Sequence, residues 1–354
     1  MTTPTTITPL IPTKWIYDRA PQRVYWEITR ACDLTCRHCR AEAVPQAHPD
    51  ELDLTAGCEL LERLTDFGEP LPHLVLTGGD PFKRKDLFVL IRAARDMGFH
   101  VSVSPSATQR LTAEAIERLK AAGVAAISLS IDGSTPERHD AFRGVPGTFE
   151  RTMRAAAAAR SAQLPVQINT LVAAETLADL PAIYALARDL GVARWSLFFL
   201  VSVGRGTTLQ PISVAEGEQL MAWMASLPTG RPVVTTTEAP HFRRVATSVE
   251  RRGGGHAGGI RDGNGIMFIS HTGEVSPSGF LPLAAGNVRD KDPVAIYRGS
   301  ELFRKLRDAN QFLGRCGSCD FHWQCGGSRA RAYAATGNVL AEDPLCPYEV
   351  TLPS

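Results

Sequence analysis

The sequence predicts an α/β fold, a partial (β/α)6 barrel of parallel strands followed by a smaller C-terminal α+β domain. Three observations carry this. Six strand-like runs alternate with amphipathic helical stretches between about residues 20 and 205, glycine follows several of those stretches, and seven of the eight cysteines fall into two distant groups. Strand–helix units in series imply parallel strands joined by right-handed crossovers, and six units are too few to close an eight-fold barrel.

In chain order the expected strands are 23–28, 73–77, 100–104, 126–131, 166–172 and 194–201, each short, apolar or β-branched, and bounded by Gly, Pro, Asp or Thr. The expected helices are 54–67, 87–97, 112–122, 149–162 and 177–190. Gly68, Gly98, Gly123 and Gly191 stand where a helix ends in a left-handed residue. Ser213 and Glu216 have the spacing of a capping box and open a further helix. Residues 228–262, rich in Pro, Gly and Thr, read as loop, with a mobile glycine-rich stretch at RRGGGHAGG. A hairpin-like stretch, GIMFISHTGEVSPS, precedes the second cysteine group. The division expected is a flexible arm (1–19), the barrel (20–206), a linking segment (207–262) and the cysteine-bearing domain (263–354).

Composition excludes several classes. Lys and Arg number 38 against 37 Asp and Glu, which argues against a nucleic-acid or polybasic membrane binder. No apolar run is long enough to span a membrane, and the start lacks the basic region of a signal peptide, so the chain reads as cytoplasmic. Eight cysteines in 354 residues are too sparse for a disulfide scaffold. Cys58 lies at core spacing between Leu54 and Leu61 and reads as a buried thiol.

Cys32, Cys36 and Cys39 follow the first strand, at the end where parallel sheets hold ligands. Three thiolates on one loop can hold three corners of a [4Fe–4S] cubane, leaving the fourth iron open. A zinc site completed by His38 or His48 is the plainer alternative. The string WEITRACDLTCRHCRAEA resembles the signature of the radical S-adenosylmethionine (SAM) enzymes. Gly78-Gly79-Asp80-Pro81 resembles the family's GGEP motif with Asp for Glu, and ISLSIDGSTPERHDAFRG, QINTLV and FFLVSVGRG fall where later strand motifs occur.

The resemblance implies that the open iron binds the amino and carboxylate groups of SAM, and that reductive cleavage yields a 5′-deoxyadenosyl radical that abstracts hydrogen from a substrate. It places Gly78, Gly79, Asp80 and Pro81 at the methionine end of SAM and His38 at the adenine. Ser130 and Arg143 are candidates for the ribose and carboxylate, with Asn169 behind them. It also implies a flavodoxin- or ferredoxin-type electron donor.

Cys316, Cys319, Cys325 and Cys346 supply four thiolates, enough to fill either a Zn(Cys)4 site or a closed [4Fe–4S] cluster. The pattern resembles the C-terminal twitch/SPASM extension of radical SAM enzymes. Ser278 and Arg329 stand where further cysteines would be, so the resemblance implies one auxiliary cluster, fully ligated by protein. Arg304, Arg307, Arg315, Arg329 and Arg331 flank it, either offsetting its charge, docking an acidic donor or forming a solvated face.

The motif set is similar to the branch containing heme-biosynthesis and peptide-maturing enzymes, so the substrate is expected to be a small tetrapyrrole-type molecule or a peptide. Only 31 residues precede Cys32, too few for a leader-binding domain there, which tilts the expectation toward a small molecule or a peptide delivered by a separate protein. Tyr184, Arg205, Glu238 and His241 are polar or aromatic groups near the expected pocket, and no catalytic acid or base is assigned. The rival classes are a non-catalytic iron–sulfur or zinc redox or regulatory protein, and a zinc-dependent barrel hydrolase.

Overall fold

In the expected strands, alternate residues point into a helix-covered core. In the strand 126–130 (AISLS), Ile127 and Leu129 are buried while Ser128 and Ser130 are half-exposed on the opposite face. The computed structural model describes residues 16–248 and 258–349. Residues 1–15 of the expected arm and most of the glycine-rich stretch lie outside them, while Tyr17 of that arm is bound to Asn264 and Gly258.

Ten strands form one sheet: β1 (Arg23–Glu27), β2 (His73–Thr77), β3 (Val101–Val103), β4 (Ala126–Ser130), β5 (Val166–Val172), β6 (Arg194–Phe199), β7 (Val233–Thr237), β8 (Ile266–Ile269), β9 (Glu274–Ser276) and β10 (Gly286–Asn287). Their order is β10-β9-β8-β1-β2-β3-β4-β5-β6-β7. All pairings from β8 through β1 to β7 are parallel, and β9 and β10 add antiparallel strands. The six expected strands are therefore present, in an open barrel.

The sheet continues beyond them on both sides. β7 lies inside the stretch read as loop, because the β-branched run VVTTT pairs with β6 from Arg194↔Val233 to Phe198↔Thr237. The expected hairpin is β8–β9, and β8 also pairs in parallel with β1. One continuous sheet thus carries both cysteine-bearing regions.

The helices of this part of the chain are α1 (Leu54–Leu64), α2 (Leu87–Asp96), α3 (Ala113–Ala121), α4 (Pro136–Arg143), α5 (Thr148–Ser161), α6 (Ala174–Leu177), α7 (Leu180–Asp189), α8 (Val214–Ser226) and α9 (Phe242–Ser248). α4 was not expected, since PERHDAFR has almost no apolar stripe. Thr135 caps its start and Pro136 sits in its first turn. The capping box at Ser213 and Glu216 is formed at both ends. In α1 the buried face is Gly57, Leu60, Leu61 and Leu64, so Cys58 is half-buried beside the core, not enclosed as expected. Tyr184 packs against Trp195 and Trp223 between helix and sheet, away from the concave face.

After the hairpin, four short helices complete the C-terminal region: α10 (Pro293–Gly299), α11 (Glu301–Arg307), α12 (Gly314–Ser318) and α13 (Arg329–Thr336). No helix among the described residues is long and apolar enough to cross a membrane.

Candidate active site and second cysteine centre

The concave face of the sheet is lined near the strand C-termini by short polar side chains. Thr77, Ser104, Ser130 and Asn169 are half-exposed there, and Ser130 and Asn169 are cross-strand partners. The Cys32–Cys39 loop lies over this end. Backbone N–H groups already point at its sulfurs: Leu34 donates to Cys32 Sγ and Ala43 to Cys39 Sγ, both at 3.4 Å. Burial raises the Cys32 and Cys36 thiols above their usual range, so ionising them calls for a cationic partner. Arg143 supplies part of it, with Nη1 at 3.7 Å from Cys36 Sγ.

Gly78 and Gly79 press against the segment that leads into this loop. A Cβ on Gly78 would lie 2.3 Å from the Thr29 carbonyl oxygen, and one on Gly79 2.4 Å from that of Ala31. Gly79 N–H donates to Thr29 O at 2.8 Å and Asp80 N–H to Ala31 O at 2.7 Å. The requirement for glycine is thus already set within the protein, by backbone meeting backbone. The Asp80 carboxylate accepts from Phe82 N–H (3.1 Å) and the Thr108 hydroxyl (2.7 Å) and is fully buried. Burial raises its carboxyl despite those bonds. Pro81 begins the short turn that follows. Ser106 donates to Gly79 O (2.6 Å) and meets Cys32 Sγ at 3.5 Å, which ties the glycine turn to the first cysteine.

Asp132, which the sequence reading passed over, organises the opposite side. Its carboxylate pairs with Arg143, accepts from Leu171 N–H at 2.7 Å and lies 3.8 Å from His38 Nε2. Burial works to raise the Asp132 carboxyl, but Arg143, His38 and His139 outweigh it and hold it below the usual carboxylate range. Burial drives the His38 imidazole down to about 4, so His38 is neutral at pH 7, and its Nδ1 is buried without a partner. His38, Asp132, Arg143 and Cys36 therefore form one group. The signal that could have revealed Asp132 is its place two residues past Ser130, at the end of β4.

Two arginines fix the cysteine loop. Arg205 Nε donates to Cys36 O (2.9 Å) and Nη1 to Ala43 O (3.2 Å). Beside it a Cβ on Gly204 would lie 2.5 Å from Arg40 O. The GRG string after β6 thus grips the loop. Arg40 donates to the buried Glu27 carboxylate at 2.9 Å and stacks on Phe268 at 4.4 Å. Glu27 also bonds His271 at 2.8 Å.

In the second group, Phe321 N–H donates to Cys319 Sγ (3.3 Å), and Gly327 N–H to Cys325 Sγ and Asp343 N–H to Cys316 Sγ (both 3.4 Å). Cys316 lies near enough to Cys319, Cys325 and Cys346 to hinder the ionisation of each. Burial pushes the Cys325 thiol up to about 12. Four converging thiols with N–H donors on three sulfurs fit a group that ionises all four at once. Among the described residues no three His, Cys, Asp or Glu side chains are gathered tightly enough for a single ion. Of the flanking arginines, Arg307, Arg329 and Arg331 are buried and not a solvated face. Arg331 forms a fork with Asp343 at 2.8 and 2.9 Å, Arg315 pairs with Glu342, and Arg304 is exposed. Glu238 and His241 also belong to this region: Ser328 donates to Glu238 at 2.5 Å, and His241 lies 3.8 Å from Asp343.

Residues 26–187 match the radical SAM superfamily. The chain belongs to that superfamily, and the family implies a [4Fe–4S] cluster and SAM. It is 40% identical over 340 residues to an AdoMet-dependent heme synthase of Nitratidesulfovibrio vulgaris, covering 92% of each chain. It is 38% identical over 341 residues to one of Methanosarcina barkeri, covering 93% of this chain and 97% of that one. Streptococcus suis SuiB bound to its precursor peptide SuiA shares the fold, with a TM-score of 0.71 at 15% identity, over 96% of this chain and 78% of that one. The chain is an enzyme of radical SAM type.

Proposed function

We propose that this protein is a cytoplasmic heme synthase whose substrate is an iron-containing tetrapyrrole. The observation that carries the reading is the identity of about two residues in five to heme synthases, over more than nine-tenths of both chains. Cys32, Cys36 and Cys39 hold the first cluster, and Cys316, Cys319, Cys325 and Cys346 a closed auxiliary [4Fe–4S] cluster. When bound, the first cluster and SAM supply a 5′-deoxyadenosyl radical able to take hydrogen from an unactivated carbon.

The chain's own residues hold and orient. Arg205 and Arg40 fix the loop on which the cysteines sit, and Gly78–Pro81 after β2 and Ser106 after β3 brace it. Ser130 and Asn169 offer hydrogen bonds to the ribose. Arg143, whose terminal nitrogens meet Asp132 and Cys36 Sγ, is the nearest cation for the SAM carboxylate. Neutral His38 packs beside the adenine without adding charge. A flavodoxin- or ferredoxin-type protein delivers electrons. Residues 20–206 carry the SAM half and 263–354 the second centre.

The test is an anaerobic incubation of the reconstituted enzyme with SAM, dithionite and iron coproporphyrin. Heme formed together with 5′-deoxyadenosine and methionine supports the reading. Conversion of SAM with the porphyrin unchanged overturns it, and modification of a supplied peptide instead would favour the peptide substrate that the motif set also allows.

A further inference from the structure

Arg329 is completely buried, and among the described residues its guanidinium meets no carboxylate in hydrogen-bond reach. Nε donates to Gly327 O (3.4 Å), Nη1 to Val339 O (3.1 Å) and Ala341 O (2.7 Å), and Nη2 to Cys316 Sγ (3.5 Å). Its flat face covers the Phe312 ring at 4.5 Å, and Arg261 covers the same ring at 5.0 Å. Arg261 is buried too, and it donates to the carbonyls of Gly259, Trp323, Leu306 and Arg307, while its Nε has no partner. Burial, with Arg329 and Arg243 adding to it, drives the Arg261 guanidinium down to about 9. Asp262 lies near Arg261, yet it gives Oδ2 to Ala330 N–H. Asp343, the other nearby carboxylate, is taken by the Arg331 fork.

Two stacked cations on one aromatic ring repel each other, and burial without a matching anion is costly. The arrangement is stable when negative charge gathers at the cysteine centre whose Cys316 sulfur Arg329 touches. We propose that Arg329 and Arg261 form a cationic wall that sets the reduction potential of the second cysteine centre, holding it more readily reduced than its four thiolates alone would allow. Adding one electron to the centre makes or breaks no bond and raises its negative charge by one. A fixed guanidinium at a ligating sulfur favours that more negative state, as net charge and hydrogen bonds to sulfur tune such centres generally. This rests on the reading of the second centre as an iron–sulfur cluster.

The test is an EPR-monitored redox titration of the reconstituted full chain, with metal counted on every sample and the two centres distinguished by adding SAM. Arg329→Gln is expected to reduce the second centre's reduction equilibrium at least about ten-fold, about 59 mV lower for one electron. Arg261→Gln, one ring further out, should move it the same way by less. Arg329→Lys should restore most of the loss, since it keeps the charge without the fork. An unchanged potential in Arg329→Gln with full iron overturns the proposal. So does a drop in Arg329→Gln that Arg329→Lys leaves uncorrected, or loss of second-centre iron in all three variants, since each assigns a structural role. One zinc and only four irons in the unsubstituted protein would instead overturn the cluster reading on which the proposal stands.

Discussion

Arg40, the residue after the last cysteine of the first group, is bound at 2.9 Å to the buried carboxylate of Glu27 in β1. Because Glu27 also bonds His271, in the turn between β8 and β9, this pair ties the cysteine loop to the barrel wall and to the C-terminal hairpin. Arg40→Ala leaves a buried carboxylate short of a partner. By analogy with broken buried pairs it should cost about 3 kcal/mol, read as a lower urea midpoint of the metal-free protein. A midpoint within experimental error of the unsubstituted protein would show that the pair does not hold the loop.

Gly204→Ala should lower iron at the first site while leaving the second intact. The added Cβ meets Arg40 O at 2.5 Å and Cys39 O at 2.7 Å, both backbone atoms that cannot swing aside. About four irons per chain are expected after reconstitution, against about eight for the unsubstituted protein. Full occupancy of both sites in this variant would contradict the close approach.

Cys36→Ala should abolish conversion of SAM to 5′-deoxyadenosine, because the cubane loses one of only three protein ligands. Cys319→Ala should retain some unproductive cleavage of SAM while losing product. Both are measured by chromatography of 5′-deoxyadenosine and product from the same anaerobic reaction, and equal behaviour of the two variants would refute separate roles for the two centres.

Two buried histidines should make the fold sensitive to mild acid. Burial drives His73 and His139 down to about 4, and His139 Nδ1 accepts a hydrogen bond from Asp132 N–H at 3.1 Å, which requires the neutral ring. A histidine with a lowered folded pKa is neutral in the fold and protonated in the unfolded chain between about 4 and the unperturbed value near 6.5. The unfolded state therefore binds more protons in that window, and stability falls as pH drops through it. Urea midpoints at pH 7, 6 and 5 should decrease in that order. His139→Gln should flatten part of the slope, and midpoints independent of pH would contradict the assignment.

Most of the barrel was legible because its signals are local. Short apolar or β-branched runs bounded by turn residues marked β2 and β5 to the residue, and Ser213 with Glu216 marked the start of α8. The cysteine spacing likewise named all seven clustered thiols. β7 escaped because a short β-branched run among Pro, Gly and Thr reads as loop until β6 offers it an edge. α4 escaped because its helix is held by a cap and by tertiary packing of His139 and Phe142, not by an apolar stripe.

What the sequence by itself determined is which residue types stand ready at each strand end: thiols, a double glycine, short hydroxyls and scattered arginines. Only the tertiary structure decided what each of them touches. Arg205 reaches Cys36 across 169 residues and His271 reaches Glu27 across 244, and no local period records such a meeting. Chain closure brings these groups together, and burial then turns Asp132, Arg40 and Arg329 from ordinary surface types into the charges that shape both cysteine sites.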